Sequence, residues 1–241
     1  MLASNTLKGA PDTTFWEQVA ATRWGSYVTQ IEKRTLLHAH SLAGKPGQAL
    51  EMGCEGGRWA SLLSKLGWQM TCVDIDPDAL SVCRQRVPAA KCILANPDDA
   101  AIPCASDSMD LLLCIEVAPV TDSSWFLPEA ARVLRAGGLL SVVVWNRDSL
   151  RAWVHARRNR SRREDGEFYN TPYSSWRRGL RDAGFQLERE EGFCWGPFHR
   201  ASNSPLIPLS SRFERLLGLH RLTAFSPWIA VVARKSPLPV R

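Results

Sequence analysis

The sequence predicts a doubly wound α/β fold with a mostly parallel sheet, and two patterns carry this prediction. Short β-favouring segments alternate with helical segments between residues 48 and 145. In addition, the segments at 109–115 and 139–145 are apolar at nearly every position. Strands need apolar side chains on both sides when helices cover both faces of a parallel sheet, so the two patterns together indicate this fold class.

The alternation can be divided into individual elements. The predicted strands are 48–53, 69–74, 91–95, 109–115 and 139–145, and the predicted helices between them are 58–66, 77–85 and 123–134. Pro77 stands at an early helical position, where its missing N–H costs nothing. One helix over 15–40 precedes the alternation, because its apolar residues recur close to helical spacing.

The composition changes after residue 145. Residues 146–171 are polar and rich in arginine, whereas 173–183 predict a helix and 185–191 and 228–235 predict two more strands. We therefore expect three parts in one domain. They are an N-terminal helical segment at 1–44, a ligand-binding α/β core at 45–145, and a C-terminal half at 146–241 with lid-like insertions at 146–176 and 194–227 and a final β-hairpin.

The overall composition is that of an ordinary globular protein. Of 241 residues, 45% are hydrophobic and 22% are charged, which suits a domain with a sizeable core. No apolar stretch approaches the roughly 20 residues that cross a bilayer, and residues 1–15 lack the apolar core of a signal peptide, so we expect a cytoplasmic protein. The seven cysteines are odd in number and form no Cys-x-x-Cys pair, which predicts neither a metal site nor a disulfide framework.

A glycine-rich turn closes the first predicted strand. It reads Glu-Met-Gly-Cys-Glu-Gly-Gly over residues 51–57. Such a turn between a strand and a helix binds nucleotide-like ligands, because glycines let the backbone approach the ligand and the helix start presents free N–H groups. Asp74 ends the next strand, at about the 20-residue spacing where an acidic side chain can accept hydrogen bonds from ribose hydroxyls.

Two carboxylates distinguish this turn from a dinucleotide site. Glu51 precedes the first glycine and Glu55 lies inside the turn. Negative charge at both positions repels a pyrophosphate, and the G-x-G-x-x-G spacing of dinucleotide-binding folds is missing. A ligand that carries positive charge suits these residues better.

Four motifs in this order resemble those of the class I S-adenosylmethionine (SAM)-dependent methyltransferases, and in particular the small-molecule type. They are Leu-Glu-Met-Gly-Cys-Glu-Gly-Gly at 50–57, Val-Asp-Ile-Asp-Pro at 73–77, Asp98 with Ile-Pro at 102–103 and Met-Asp at 109–110, and Arg-Val-Leu-Arg-Ala-Gly-Gly at 132–138. The resemblance covers residues 49–145. It implies a Rossmann-like methyltransferase fold with seven strands, of which the last is antiparallel, and SAM as the cofactor.

The resemblance also implies roles for individual residues in SAM binding. Glu51 would hold the ammonium of the methionine part, and Asp74 would bind the ribose hydroxyls. Ile75 would pack on the adenine, and Asp98 would accept a hydrogen bond from the adenine amino group. The remaining roles belong to the backbone: Gly53, Cys54 and Gly57 let the chain approach the methionine part, and the chain from Cys114 to Glu116 forms the floor of the pocket.

Two positions depart from the family pattern. Glu55 replaces the middle glycine of the first motif. Residues 116–120 read Glu-Val-Ala-Pro-Val, without the histidine that many small-molecule members carry there, so no role of that histidine carries over. The first departure keeps open the hypothesis of a catalytically inactive, methyltransferase-like binding subunit.

Methyl transfer requires no fixed set of catalytic residues. It is an in-line displacement, and alignment of the acceptor with the methyl group supplies much of the acceleration. A general base helps a hydroxyl acceptor, and His155, Tyr169 and His199 are the candidates outside the cofactor motifs. Ligands of open α/β sheets lie beyond the carboxyl ends of the strands, so we expect 146–176 over the acceptor site.

Three hypotheses about the acceptor follow. The favoured one is methyl transfer to an oxygen of a small apolar or aromatic molecule, because the loop at 194–198 is aromatic. The second is an RNA or protein acceptor, since the net charge is +6 and 151–163 holds six arginines. The sequence N/D-P-P-Y/F, typical of enzymes that methylate base amino groups, does not follow the fourth strand. The third hypothesis is the inactive binding subunit.

Overall fold

The computed structural model describes residues 14–159 and 169–237, and its seven strands form one sheet in the order β3-β2-β1-β4-β5-β7-β6. The strands are β1 Gln48–Met52, β2 Gln69–Asp74, β3 Lys91–Leu94, β4 Met109–Cys114, β5 Leu134–Trp145, β6 Phe185–Phe193 and β7 Trp228–Lys235. The first five pair in parallel, and β7 runs antiparallel to both β5 and β6. The predicted doubly wound sheet with an antiparallel last strand is confirmed.

Helices cover both faces of this sheet. They are α1 Phe15–Ala20, α2 Arg23–Ala43, α3 Arg58–Lys65, α4 Pro77–Arg86, α5 Ala118–Thr121, α6 Phe126–Val133, α7 Leu150–Asn159, α8 Tyr173–Asp182 and α9 Ile207–Leu216. Alternate residues of the central strands point to opposite sides. Leu111 and Leu113 join the core under α2 and α3, whereas Leu112 joins the core under α6 and α8. Across the described ranges, no helix combines the length and the apolar character that a membrane crossing requires.

The helix predicted over 15–40 is two helices, and that prediction was wrong in its continuity. Thr22 ends the first helix and begins the second: its Oγ1 donates to the carbonyl of Val19 at 2.6 Å and accepts from the N–H of Gly25 at 3.0 Å. A Cβ on Gly25 would lie 1.9 Å from the Val19 carbonyl oxygen, so this close turn requires glycine. These hydrogen bonds of the Thr22 side chain take the place of helical backbone hydrogen bonds, so the helix is interrupted at this residue.

Other predicted boundaries also differ. The helix predicted over 123–134 is the shorter α6, the short α5 before it was not predicted, and β5 begins at Leu134 rather than at residue 139. The C-terminal insertions, predicted as loops, contain α7 and α9. In α9 the loop-like composition is misleading, because Pro208 stands in the first turn, where proline is tolerated. Arg160, Arg162 and Arg163 of the basic segment lie outside the described residues.

Candidate functional site

A cavity of about 600 Å³ opens at the carboxyl ends of β1, β2 and β4. This volume is that of a small-molecule site. Six of the residues predicted to bind the cofactor line it: Glu51, Gly53, Cys54, Asp74, Ile75 and Glu116. The sheet brings them together because β1 pairs in parallel with both β2 and β4, so the three strands end at the same edge.

The glycine turn brings backbone to the cavity wall. Gly53 has a φ of +67°, and a Cβ there would lie 2.4 Å from a methyl group of Val117. The N–H of Gly53 donates to the carbonyl of Val73 at 2.8 Å, which ties the turn to β2. Gly57, in contrast, does not line the cavity. It stands at the start of α3 with a φ of +72°, where a Cβ would lie 2.6 Å from Sγ of Cys83.

Glu51 is a buried carboxylate with an unused oxygen. Its side chain is 3% exposed, and among the described residues its Oε2 has no hydrogen-bond partner. Burial raises the pKa of Glu51 well above its usual value, the neighbouring Cys83 thiol adds to the effect, and a hydrogen bond from the backbone of Ala60 opposes it. An unpartnered carboxylate oxygen in a buried position is costly, so this residue is prepared for a cationic or hydrogen-bonding ligand.

Asp74 and Ile75 form the next part of the wall. The carboxylate of Asp74 accepts from the N–H of Glu55 at 2.7 Å and from the N–H of Asp76 at 3.0 Å, which fixes its orientation. Each carboxylate oxygen retains a further acceptor position for a ligand hydroxyl. Ile75 is 61% exposed and lines the cavity, so a flat apolar group could cover it.

Glu55, which stands where the family motif has its middle glycine, has a structural role. Its φ of 46° lies in the left-handed region that glycine favours. Its Oε1 accepts the backbone N–H of Trp16 at 3.0 Å, and Trp16 lines the cavity. Gly56 beside it leaves room for α1, because a Cβ there would lie 2.9 Å from a methyl group of Thr14. The side chain at 55 therefore fixes α1 against the turn and brings an indole to the cavity wall.

Two further carboxyl groups, those of Glu32 and Glu116, lie close together at the cavity. Glu116 follows β4 with a φ of 59°, and Glu32 reaches it from α2 with no exposed surface. Burial raises the pKa of Glu32 well above its usual value, and the adjacent, hydrogen-bonded Glu116 raises it further. Arg58 contacts the pair, with its Nη2 3.3 Å from Oε2 of Glu32. Burial and the neighbouring carboxyl group therefore favour the protonated form of Glu32.

Sequence reasoning missed Glu32, although a signal for it exists. The buried face of α2 carries Val28, Ile31, Thr35, Leu36 and Ala39, and Glu32 falls on the same face. A single carboxylate on the apolar face of a helix is unfavourable unless a partner neutralises it. Trp16, Arg58 and Trp125 also line the cavity and were not predicted, because nothing in their local sequence indicates which side of the sheet they reach.

Three of the predicted cofactor positions do not line the cavity through their side chains. Gly57 supports α3, Cys114 is buried at the end of β4 while the next residue, Ile115, lines the cavity, and Asp98 is exposed while its neighbour Pro97 lines it. The role of Asp98 toward an adenine amino group stays a prediction.

Two of the three predicted catalytic candidates, Tyr169 and His199, do not line the cavity. Tyr169 accepts a hydrogen bond from Nε1 of Trp228 at 3.0 Å and packs on Trp145, and burial raises its pKa. His199 is exposed, with its Nδ1 2.5 Å from the carbonyl oxygen of Arg200. His155 belongs to α7, and its side chain lies outside the described residues. Their catalytic roles stay predictions.

Two arginines of the basic segment make contacts within the fold. Arg151 donates from its Nη1 to the carbonyls of Cys194 at 3.1 Å and Gly196 at 3.4 Å, so it fixes the aromatic loop. The guanidinium of Arg157 lies 5.0 Å from the ring centre of Trp153. Arg151 is therefore engaged within the fold, whereas Arg157 is exposed and lies beside an exposed indole.

Comparisons with known proteins identify relatives of this chain. Residues 50–142 match a family model described as a methyltransferase domain. An uncharacterized methyltransferase of Mycobacterium tuberculosis is 33% identical over 108 residues, which are 44% of this chain and 43% of that protein. A probable S-adenosylmethionine-dependent methyltransferase of the same species is 36% identical over 99 residues, 41% of this chain and 35% of that protein. The chain therefore spans less than half the length of these curated relatives.

A solved structure adds evidence on the fold. Geranyl diphosphate methyltransferase, in complex with GPP and sinefungin, superposes with a TM-score of 0.55. It is 15% identical to this chain, and the alignment covers 83% of this chain and 77% of that chain. At this identity the similarity shows the shared fold.

Proposed function

We propose that this chain, whose residues 50–142 are a class I SAM-dependent methyltransferase domain, transfers a methyl group from SAM to an oxygen of a small apolar or aromatic molecule. One observation carries the proposal. A single cavity of about 600 Å³ joins the cofactor residues of β1 and β2 to an apolar and aromatic wall, with a carboxyl group beside it. An enclosed site of this kind suits a small acceptor better than a macromolecular one.

The residues present fit SAM as a ligand. The unpartnered Oε2 of Glu51 would hold the ammonium group, and the exposed face of Ile75 would cover the adenine. Asp74 would accept from the ribose hydroxyls, and Gly53 would leave the backbone open to the methionine part. Bound SAM supplies an activated methyl group whose leaving group is a neutral thioether.

The other residues that line the cavity indicate the character of the acceptor. Trp16, Val117, Val120 and Trp125 line it with apolar and aromatic surface. Aromatic walls bind flat or apolar molecules by burying area and by offset stacking. The similar fold that holds GPP and sinefungin together supports the idea that a small molecule and a cofactor analogue fit side by side in this architecture.

The carboxyl pair supplies the acid–base chemistry in this proposal. Glu116 lines the cavity and lies within hydrogen-bond reach of Glu32. Glu116 would take the hydroxyl proton of an acceptor that is held in line with the methyl group of bound SAM, while the methyl–sulfur bond breaks and the neutral thioether leaves. Burial favours the protonated form of Glu32, whose Oε2 lies 3.3 Å from Nη2 of Arg58, so Glu32 could hold the carboxyl group of Glu116 in position.

The two other hypotheses gain less support. An RNA or protein acceptor would use the basic segment, but Arg151 is engaged with loop carbonyls. The inactive binding subunit was suggested by Glu55, and that residue anchors Trp16 at the cavity wall instead of filling the site with an unrelated side chain. Both remain outcomes of the test.

A labelling experiment tests the proposed activity. Purified protein receives SAM with a radiolabelled methyl group and, in separate reactions, a low-molecular-weight metabolite extract, an RNA preparation or a protein preparation. We expect label in an organic-soluble small molecule. Glu116→Gln is expected to slow the transfer by about 10²–10⁴-fold because it removes the general base, while binding of S-adenosylhomocysteine is retained.

The matched control is Glu188→Gln, which changes an exposed glutamate of β6 outside the cavity and should transfer label at the wild-type rate. Label in RNA or protein would contradict the small-molecule acceptor. Intact cofactor binding without any transfer would favour the binding subunit. Unchanged transfer by Glu116→Gln would remove that residue from the mechanism.

Cofactor binding should depend on pH through Glu51. Burial raises the pKa of this carboxyl group, and it attracts an ammonium only when ionised. The affinity for S-adenosylhomocysteine should therefore fall as the pH is lowered through that raised pKa, at a higher pH than an ordinary glutamate would require. Glu51→Gln should bind more weakly at neutral pH and lose this dependence, measured by calorimetry between about pH 5 and 8.

The ligand-free protein should respond in the opposite direction. A raised folded-state pKa means that the stability contribution of Glu51 is present at low pH and is lost as the pH rises through that pKa. Glu51→Gln should therefore stabilise the ligand-free fold at neutral pH. Identical pH slopes of affinity in the variant and the wild type would contradict the assignment of Glu51 to the ammonium.

A further inference from the structure

Four cysteines gather beside the glycine turn. The Sγ atoms of Cys54, Cys72 and Cys83 all lie within 4.8 Å of one another, and the three side chains are buried. Sγ of Cys92 lies 3.9 Å from Sγ of Cys83 and within hydrogen-bond reach of Cys72. We call these four residues the thiol cluster.

Rigid elements hold the thiol cluster together. Cys54 follows β1, Cys72 lies in β2, Cys83 in α4 and Cys92 in β3. Cys72 and Cys92 are direct partners in the register of the parallel pair β2–β3, so the sheet itself brings them side by side. Gly57 leaves space for Cys83, because a Cβ there would lie 2.6 Å from its Sγ. Sites on strands and helices keep their geometry better than sites on loops.

The spacing of the sulfur atoms suits a metal ion. Zinc–thiolate bonds are about 2.3 Å long, which puts the sulfurs of a tetrahedral site about 3.8 Å apart. The 3.9 Å separation of Cys83 and Cys92 has this value, and Cys54, Cys72 and Cys83, which lie within 4.8 Å of one another, need shifts of about 1 Å or less to reach it. Cys92 is half-buried and lies outside this group of three, so it would move further to take the fourth ligand position.

Two positively charged side chains lie near the thiol cluster. Positive charge from Arg86 acts on Cys83, and positive charge from Arg84 acts on Cys92. Thiolates are the form that binds soft metal ions.

We propose that Cys54, Cys72, Cys83 and Cys92 bind one thiophilic d¹⁰ cation, Zn²⁺ or Cu⁺, as a structural site beneath the glycine turn. Binding replaces thiol protons by metal–sulfur bonds and releases those protons to solvent, so no oxidant or reductant is needed. Because Cys54 belongs to the turn that lines the cavity, the ion would tie this turn to β2, β3 and α4. Metal occupancy would then stabilise the cofactor site.

The spacing of the four cysteines in the sequence does not indicate this site. Known zinc motifs bring ligands together in short Cys-x-x-Cys pairs, whereas these four cysteines are 18, 11 and 9 positions apart. The parallel crossovers β1–α3–β2 and β2–α4–β3 close these distances. The prediction of no metal site rested on sequence spacing alone.

Cobalt titration of the full chain tests the proposal. Reduced, chelator-treated protein is titrated with Co²⁺, whose tetrahedral thiolate complexes absorb strongly through sulfur-to-metal charge transfer, and Zn²⁺ is then added to displace it. We expect saturation near one ion per chain and full displacement by Zn²⁺. Cys83→Ala should weaken Co²⁺ binding by more than about 100-fold, because it removes the cysteine that contacts the other three.

The matched control is Cys114→Ala, which removes an equally buried cysteine outside the thiol cluster and should keep the wild-type titration. Cys72→Ser is a second test variant, for the case that Cys83→Ala does not fold. Far-UV circular dichroism checks the fold of each variant. A parallel titration with Cu⁺ under strict anaerobic conditions identifies the ion if Zn²⁺ does not displace Co²⁺.

Three results would overturn the proposal. One is the absence of charge-transfer absorption in the reduced wild type with either Co²⁺ or Cu⁺. Another is an unchanged titration in the folded Cys72→Ser and Cys83→Ala variants. Peroxide-driven disulfide formation without any metal uptake would also reject it. None of these readouts depends on methyl transfer, so the metal site and the proposed enzymatic function can fail separately.

Discussion

Asp74→Ala is expected to weaken the binding of S-adenosylhomocysteine by at least about 100-fold. The variant loses two hydrogen bonds between a charged group and the ribose hydroxyls, each worth about 1.5–3 kcal/mol, and about 1.4 kcal/mol corresponds to a factor of ten. It also releases the N–H groups of Glu55 and Asp76, which Asp74 accepts at 2.7 and 3.0 Å. Isothermal calorimetry measures the affinity directly.

The control for this experiment is Asp182→Ala, at the exposed end of α8 and outside the cavity lining. It should leave the affinity within about twofold, as for an ordinary surface substitution. Asp74→Asn separates charge from shape, because the amide can still accept from one backbone N–H; we expect an intermediate affinity. An Asp74→Ala variant that binds as tightly as the wild type would show that the ribose position is assigned to the wrong residue.

Trp228→Ala is expected to lower the free energy of unfolding by about 3–5 kcal/mol, the range for truncating a large buried aromatic residue. The indole of Trp228 stacks on Trp145 at 4.8 Å and meets Trp24 and Phe193 edge-on at 5.4 and 5.7 Å. It also donates to the hydroxyl of Tyr169 at 3.0 Å. The variant leaves a cavity among these rings and one unmade hydrogen bond.

Urea denaturation measures this loss, and Trp153→Ala is the control. Trp153 is 56% exposed, so its truncation should change the free energy of unfolding by no more than about 0.5 kcal/mol. Because the cluster joins α2, β5, β6 and β7, we expect a single transition in both variants. A loss below about 1 kcal/mol for Trp228→Ala would mean that these rings repack, and that the N-terminal helix and the last strands are less tightly connected than the contacts indicate.

The class of fold and the residues that β1 and β2 contribute to the cavity wall follow from patterns that are local in the chain. The apolar run at the end of β4 and the glycine turn at 51–57 are short-range features, and the parallel α/β connection rules bring them to one sheet edge. Asp74 and Ile75 could therefore be predicted to lie at that edge, and both line the cavity. Local patterns also misled: Thr22 interrupts a helix whose apolar spacing continues through it.

The other half of the site depends on contacts between distant parts of the chain. Glu55 departs from its motif for a reason that appears only when Trp16 is seen to donate to it at 3.0 Å. Glu32 and Glu116 are 84 positions apart in the sequence. They come together only because α2 packs beside the end of β4.

Sequence alone determined the class of fold, the position of the cofactor turn and the acidic residue of the second strand, because hydrophobic period and turn chemistry act over a few residues. Tertiary structure alone decided which carboxyl groups lie within hydrogen-bond reach of each other, which indoles line the cavity and which cysteines meet. These features depend on the approach of side chains across the sheet, and burial then changes their charge and reactivity. No local pattern carries that information, because the spacing that matters is between atoms in space.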